Sequence, residues 1–152
     1  MHVNNRINFK IHHVAISVRD LEVSEKFYAY FGFELITEWT ARDNTLKITH
    51  MAQSDGYILE LFTYSLNSQA EALSSEVGNN LERVGLKHIA FNVPSLDDVK
   101  ARMASDGIGG MTDTVRGQTI DYFFLPDPDG NWIEILEDRR NVSPSSPLIT
   151  EL

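Results

Sequence analysis

One stretch of this chain is written twice, and the duplication restricts the fold to two copies of a single small unit. "KIHHVAISVRDLEVSEKFYAYFGF" and "GLKHIAFNVPSLDDVKARMASDGI" align without a gap at a shift of 75 residues, setting His13 on His88, Val18 on Val93, Leu21 on Leu96 and Gly32 on Gly107. "DGYILELF" and "DGNWIEIL" align at a shift of 74, matching Asp55 with Asp129, Gly56 with Gly130 and Glu60 with Glu134. Each copy thus delivers one imidazole and one carboxylate. Four such groups, His13, Glu60, His88 and Glu134, can assemble as metal ligands around a pseudo-twofold axis.

Local patterns give each copy the same order of elements. Residues 11–18 alternate after His13, with Val14, Ile16 and Val18 on one side and His13, Ala15 and Ser17 on the other. Asp20 reads as a helix N-cap, and "LEVSEKFYAYF" places Leu21, Phe27, Tyr28 and Phe31 at helical spacing before a stop at Gly32. "FELITEW", "TLKITHM" and "GYILELFTY" follow as three β-rich runs separated by polar loops. The second copy repeats the order: strand "LKHIAFNV", cap Ser95, helix "LDDVKARMASD" stopped by Gly107, then strands "TIDYFFL" and "GNWIEILE" joined by the turn "PDPDG". A strand is expected near 109–115, although "GGMTDTV" has poor β propensity.

The expected fold class is therefore α+β, two tandem βαβββ modules at residues 10–63 and 86–138. A polar connector occupies 64–85, and a Pro/Ser-rich tail, read as mobile, occupies 139–152.

Composition narrows the partners. At 152 residues the chain can bury roughly 68–70% of its unfolded surface, enough for one domain or two small modules sharing a core. The formal net charge of −9 and the near absence of clustered Lys and Arg argue against nucleic acid and anionic lipid. No apolar run approaches the roughly 18 residues of a spanning helix, and "MHVNNRINFK" has no apolar signal core. Cysteine is absent, which removes disulfides, thiolate ligands and a cysteine nucleophile. These features point to a cytoplasmic protein with a small-molecule partner.

Strand parity decides which residues can meet. Val14, Ile16, Val18, Leu59, Leu61, Ile89, Phe91, Val93, Ile133 and Ile135 fall on the face opposite the four proposed ligands and are expected to pack the helices. The ligand face also carries Phe62, Asn92 and Trp132. An apolar surface with a few polar groups describes a ligand cavity. Arg42 and His50 are further candidates for lining it or binding a substrate anion, and Tyr122 and Phe124 for shaping it, whereas His12 is expected on the opposite face from His13.

Taken singly, a strand glutamate between apolar neighbours is often only the solvent side of an amphipathic strand. The coincidence of two His and two Glu at equivalent positions favours a shared site. Two carboxylates converging in an apolar cavity would each carry a desolvation cost of several kcal/mol, and a divalent cation removes that conflict. Mixed N/O donors suit Ni, Co, Mn, Fe or Zn, and spacing does not choose among them. One divalent ion per site is the expected cofactor. "PDPDG" lacks the ligand spacing of a calcium loop and reads as a turn.

"IHHVAISVRDLEVSEKFYAYFGFEL", "ILELF", "LKHIAFNVPSLDDV" and "FLPDPDGNWIEIL" resemble the vicinal oxygen chelate superfamily, the group of glyoxalases, bleomycin-resistance proteins and extradiol dioxygenases. The resemblance covers about residues 10–137. It implies that paired βαβββ modules form a half-open barrel around a central metal cavity. The set His13, Glu60, His88 and Glu134 is similar to the bacterial glyoxalase I pattern. In dioxygenase-like and fosfomycin-resistance members the implied ligands correspond to His13, His88 and Glu134. A homodimer is also implied, with modules pairing either within one chain or across two.

The expected activity is that of a metal-dependent lyase or isomerase acting on a small carbonyl substrate through an enediolate. Either Glu134, the first choice, or Glu60 would remove and return the proton. A ferrous extradiol dioxygenase and a drug- or metabolite-binding resistance protein are the alternatives. No glutathione or coenzyme A motif is legible in the chain.

Overall fold

The computed structural model describes residues 10–41, 44–64 and 84–140. The chain divides into two units, residues 1–70 and 71–152. Most of the connector, and the tail beyond Arg140, lie outside the described residues.

In the first unit the order is β1 (His13–Ser17), α1 (Leu21–Ala29), β2 (Glu34–Ala41), β3 (Leu46–Ala52) and β4 (Ile58–Tyr64). In the second it is β5 (His88–Asn92), α2 (Leu96–Ser105), β6 (Val115–Arg116), β7 (Ile120–Pro126) and β8 (Trp132–Asp138). The sheets run β1-β4-β3-β2 and β5-β8-β7-β6, so both units share one topology, and neither sheet closes into a barrel. The first and last strands of each unit pair in parallel, and the other pairs are antiparallel. A parallel pair needs a long crossover, and in each unit the helix and the intervening strands supply it. Helix α1 packs against β4 and α2 against β8.

The expected apolar parity holds in β4 and β8, whereas Ile89, Phe91 and Val93 in and after β5 are only half-buried. In the first unit Leu59 and Leu61 of β4 and Tyr28 of α1 are buried; in the second, Ile133 and Ile135 of β8, Phe123 of β7 and Leu96 and Met103 of α2 are buried. Thr49 is buried too, its hydroxyl donating to Glu25 Oε1 at 2.8 Å. Val14 departs from expectation. It lies on the edge strand β1 and is exposed, and Ile16 beside it is only half-buried.

The helix ends carry two corrections. Asp20 caps α1 by accepting from the Val23 N–H at 3.1 Å, as read. The helix stops at Ala29 rather than Phe31, because the amides of Tyr30, Phe31 and Gly32 bond carbonyls three residues back. Gly32, at φ +84°, then takes the left-handed turn. Ser95 precedes α2 but makes no side-chain capping bond. Glu137 of β8 does that work, accepting from the Leu96 N–H at 2.9 Å. The strand expected near 109–115 shrinks to Val115–Arg116. Gly110, at φ +75°, sits where a Cβ would come within 2.9 Å of Pro126 Cδ, so this approach to β7 tolerates only glycine.

"PDPDG" is a turn held from inside. Asp127 is buried, and its Oδ1 accepts from the amides of Asp129 (2.9 Å) and Asn131 (2.7 Å). Asp121 is buried as well, accepting from Arg139 Nη2 at 3.1 Å, Arg116 Nη1 at 2.9 Å and the Gly117 amide at 3.1 Å. Arg139 first, then Arg116, hold its carboxyl far below the ordinary range. A depressed folded-state pKa gives stability that is complete above the ordinary carboxyl value and fades as the pH falls through the folded one. Asp121→Asn should therefore be less stable than the parent at neutral pH. Urea unfolding across the acid range should show that gap shrinking below about pH 4; a pH-independent gap would disprove the charge-based account.

Among the described residues no helix is long and apolar enough to cross a membrane.

Candidate metal centre

Cross-strand register, rather than closeness in sequence, brings the site residues together. In the first unit Glu60 pairs with Ala15 on β1 and with His50 on β3, and Ile48 pairs with Trp39 on β2. Paired residues share a face, and alternation adds His13 and Phe62 to it. His13 Nε2 lies 4.0 Å from Glu60 Oε1, and His50 Nε2 lies 2.7 Å from Glu60 Oε2. The Glu60 carboxylate therefore stands between two imidazoles, one on each oxygen. Glu60 and His50 are largely sheltered, with side chains 19% and 17% exposed; His13 is more open at 37%. The Trp39 ring meets His50 edge-on at 4.9 Å.

In the second unit Glu134 pairs with Ala90 on β5 and Phe124 on β7. His88 Nε2 lies 3.0 Å from Glu134 Oε2. Phe124 packs against His88 at 5.3 Å, and Tyr122 and Trp132 each approach Phe124 edge-on. Trp132 is buried, and its indole N–H has no hydrogen-bond partner among the described residues.

Each glutamate is flanked in its strand by two fully buried aliphatic residues, Leu59 and Leu61 or Ile133 and Ile135. These fix the strand on the core side and so fix the carboxylate on the other. The solvent-face alternative for Glu60 and Glu134 gives way here, because both are half-buried and directed at an imidazole.

The four residues selected from the sequence thus stand as two pairs, His13 with Glu60 and His88 with Glu134, each within its own unit. His50, expected to line the cavity or bind a substrate anion, contacts Glu60 more closely than His13 does. Only the strand register reveals this, since its cross-strand partner is the repeat's own glutamate. His12 was expected on the opposite face, but it precedes β1 and escapes strand alternation. Its Nδ1 lies 2.9 Å from that of His13. Asn92 is spent on structure, its side-chain oxygen accepting from the Asp138 amide at 3.0 Å. Phe62 lies on the Glu60 face, and Arg42 lies outside the described residues.

The donor chemistry fits a divalent ion. Nitrogen and oxygen donors bind such ions at about 2.1 Å, which puts adjacent donors about 3 Å apart. The His13–Glu60, His50–Glu60 and His88–Glu134 separations of 4.0, 2.7 and 3.0 Å bracket that value. Ligand atoms of His13, His50 and Glu60 all lie within 4.8 Å of one another.

Comparison with known proteins gives the family. Residues 10–135 match the family model for the Glyoxalase/Bleomycin resistance protein/Dioxygenase superfamily. The chain belongs to this superfamily. It is 29% identical over 148 residues to a lactoylglutathione lyase of Schizosaccharomyces pombe, covering 87% of this chain and 48% of that relative. The chain thus spans about half the length of the yeast protein. YwkD of Bacillus subtilis, an uncharacterised protein, is 31% identical over 121 residues, covering 77% of this chain and 89% of YwkD. A glyoxalase family protein from Enterococcus faecalis has the same fold, with TM-score 0.68, 27% identity and coverage of 84% of this chain and 97% of that one. Both the superfamily and the tandem βαβββ architecture expected from the sequence are borne out.

Proposed function

We propose that this superfamily member is a divalent-metal-dependent lyase or isomerase of the glyoxalase type, with His13, Glu60, His88 and Glu134 as its metal donors and a small carbonyl compound as substrate. The observation that carries this reading is the repeated His–Glu pair, one per unit, with Nε2–Oε separations of 4.0 and 3.0 Å. The likeness to the yeast lactoylglutathione lyase supports the choice of reaction.

When bound, the ion supplies a Lewis acid that polarises the substrate carbonyl. Glu134 takes the proton from the adjacent carbon and returns it. Return to the same carbon is epimerisation; return to the neighbouring carbon is the glyoxalase isomerisation. Phe124 and Trp132, on the Glu134 face, limit water there and so limit loss of that proton to solvent. His88 Nε2 lies 3.0 Å from Glu134 Oε2, so the two donors stand side by side.

The test begins with metal-stripped protein reloaded separately with Ni²⁺, Co²⁺, Mn²⁺ or Zn²⁺. Thioester formation from the methylglyoxal–glutathione hemithioacetal is followed together with deuterium uptake next to the carbonyl in a panel of small carbonyl compounds. Metal-dependent turnover or exchange, abolished by a chelator, is the expected result. Oxygen uptake with ferrous ion and a catechol would replace this reading by a dioxygenase. Undiminished ligand binding by the stripped protein, without turnover, would replace it by a binding protein.

A further inference from the structure

We infer that His50 is a metal ligand, so that the first unit presents a complete His–His–Glu donor set (His13, His50 and Glu60) while the second, among the described residues, presents His88 and Glu134 alone. This inference rests on the metal site proposed above and makes it asymmetric. His50 stands opposite Glu60 across the β3–β4 ladder, and Phe124 stands opposite Glu134 across the β7–β8 ladder. The two positions correspond in the repeat, being separated by the same 74 residues as the two glutamates. An imidazole and a phenyl ring therefore occupy matching places beside matching carboxylates. Phenylalanine offers a metal nothing; histidine offers the commonest nitrogen donor.

His50 is also built to stay where it is. Its ring is sheltered, braced edge-on by Trp39 at 4.9 Å and lies 5.6 Å from the ring of His13. Its Nε2 is directed at Glu60, and all three donor atoms lie within 4.8 Å. The three donors come from the paired strands β1, β3 and β4, so sheet hydrogen bonding sets their spacing before any ion arrives. Donors pre-positioned in this way lose little freedom on binding. The first unit's own three donors should therefore hold an ion by themselves.

A hydrogen-bonding partner that only orients Glu60 could itself change affinity 10–100-fold, so affinity alone does not separate ligand from support. Counting ligated imidazoles does. In the full-length Co²⁺-loaded protein, proton NMR should show three hyperfine-shifted exchangeable imidazole N–H signals, from His13, His50 and His88. His50→Phe, which copies the second unit, should leave two and weaken Co²⁺ binding at least tenfold. His50→Gln, which keeps a polar group toward Glu60, should also leave two signals, and circular dichroism should show both variants folded. The double variant His88→Ala/Glu134→Ala should still bind Co²⁺, weakly, and lose that binding when His50→Phe is added. Two signals in the parent protein, or an unchanged count in both His50 variants, would overturn the inference. If that happens while alanine at His13, Glu60, His88 or Glu134 still weakens Co²⁺ binding, the preceding reading stands and only the role of His50 falls. Absence of Co²⁺ binding to the parent would remove both.

Discussion

Glu134→Ala should abolish turnover while leaving the fold intact. A positioned general base contributes about 10²–10⁴-fold to rate, and Glu134 is assigned a second duty as metal donor, so the loss should reach the upper end of that range. The cost in stability should stay small beside that of a core truncation, because Glu134 lies on the face of β8 opposite the fully buried Ile133 and Ile135. Glu134→Gln separates the duties, since it keeps the side-chain shape and an oxygen donor but not a carboxylate base. Its kcat should stay depressed at saturating metal. Glu60→Gln should instead recover activity as the metal concentration is raised, because Glu60 is assigned to holding the ion and not to moving the proton. Steady-state kinetics across a metal titration makes the comparison. Full activity in the Glu134→Ala protein would refute its role as base, and kcat restored by excess metal in Glu134→Gln would transfer that role elsewhere.

The contrast between Glu134 and His50 shows why parts of this site were legible in the sequence and others were not. Glu134 and Glu60 announce themselves twice, first by equivalence in the repeat and then by flanking aliphatics that are both buried. Alternation in "ILELF" and "WIEIL" leaves one reading of which side faces the core. "TLKITHM" offers no such reading. Leu46 and Ile48 share the His50 face, Met51 is buried on the other, and Thr49 is buried there as well because Glu25 of α1 satisfies its hydroxyl. A buried threonine looks polar in sequence and blurs the alternation. Only the pairing of β3 with β4, set by the turn after Ala52, puts His50 beside Glu60. The cap of α2 was hidden for a related reason: Glu137 lies 41 residues from Leu96, and no local signal connects them. Val14 has the right parity but belongs to an edge strand, where parity does not guarantee cover.

Ile133→Ala should do the opposite of Glu134→Ala, although the two residues are neighbours. Ile133 is fully buried on the core side of β8, and truncation of such a side chain removes apolar burial and leaves a cavity, together costing about 2–5 kcal/mol. Urea unfolding should show the midpoint falling by that amount divided by an unchanged slope. The His88–Glu134 pair lies on the other face and keeps its backbone register through the β5–β8 and β7–β8 ladders. Co²⁺ affinity per folded molecule should therefore match the parent, and kcat below the unfolding transition should match it too. A loss of activity at temperatures where Ile133→Ala remains fully folded would mean that the strand transmits core packing to the carboxylate. The two faces of β8 would then not be separable into one that holds the fold and one that performs the chemistry.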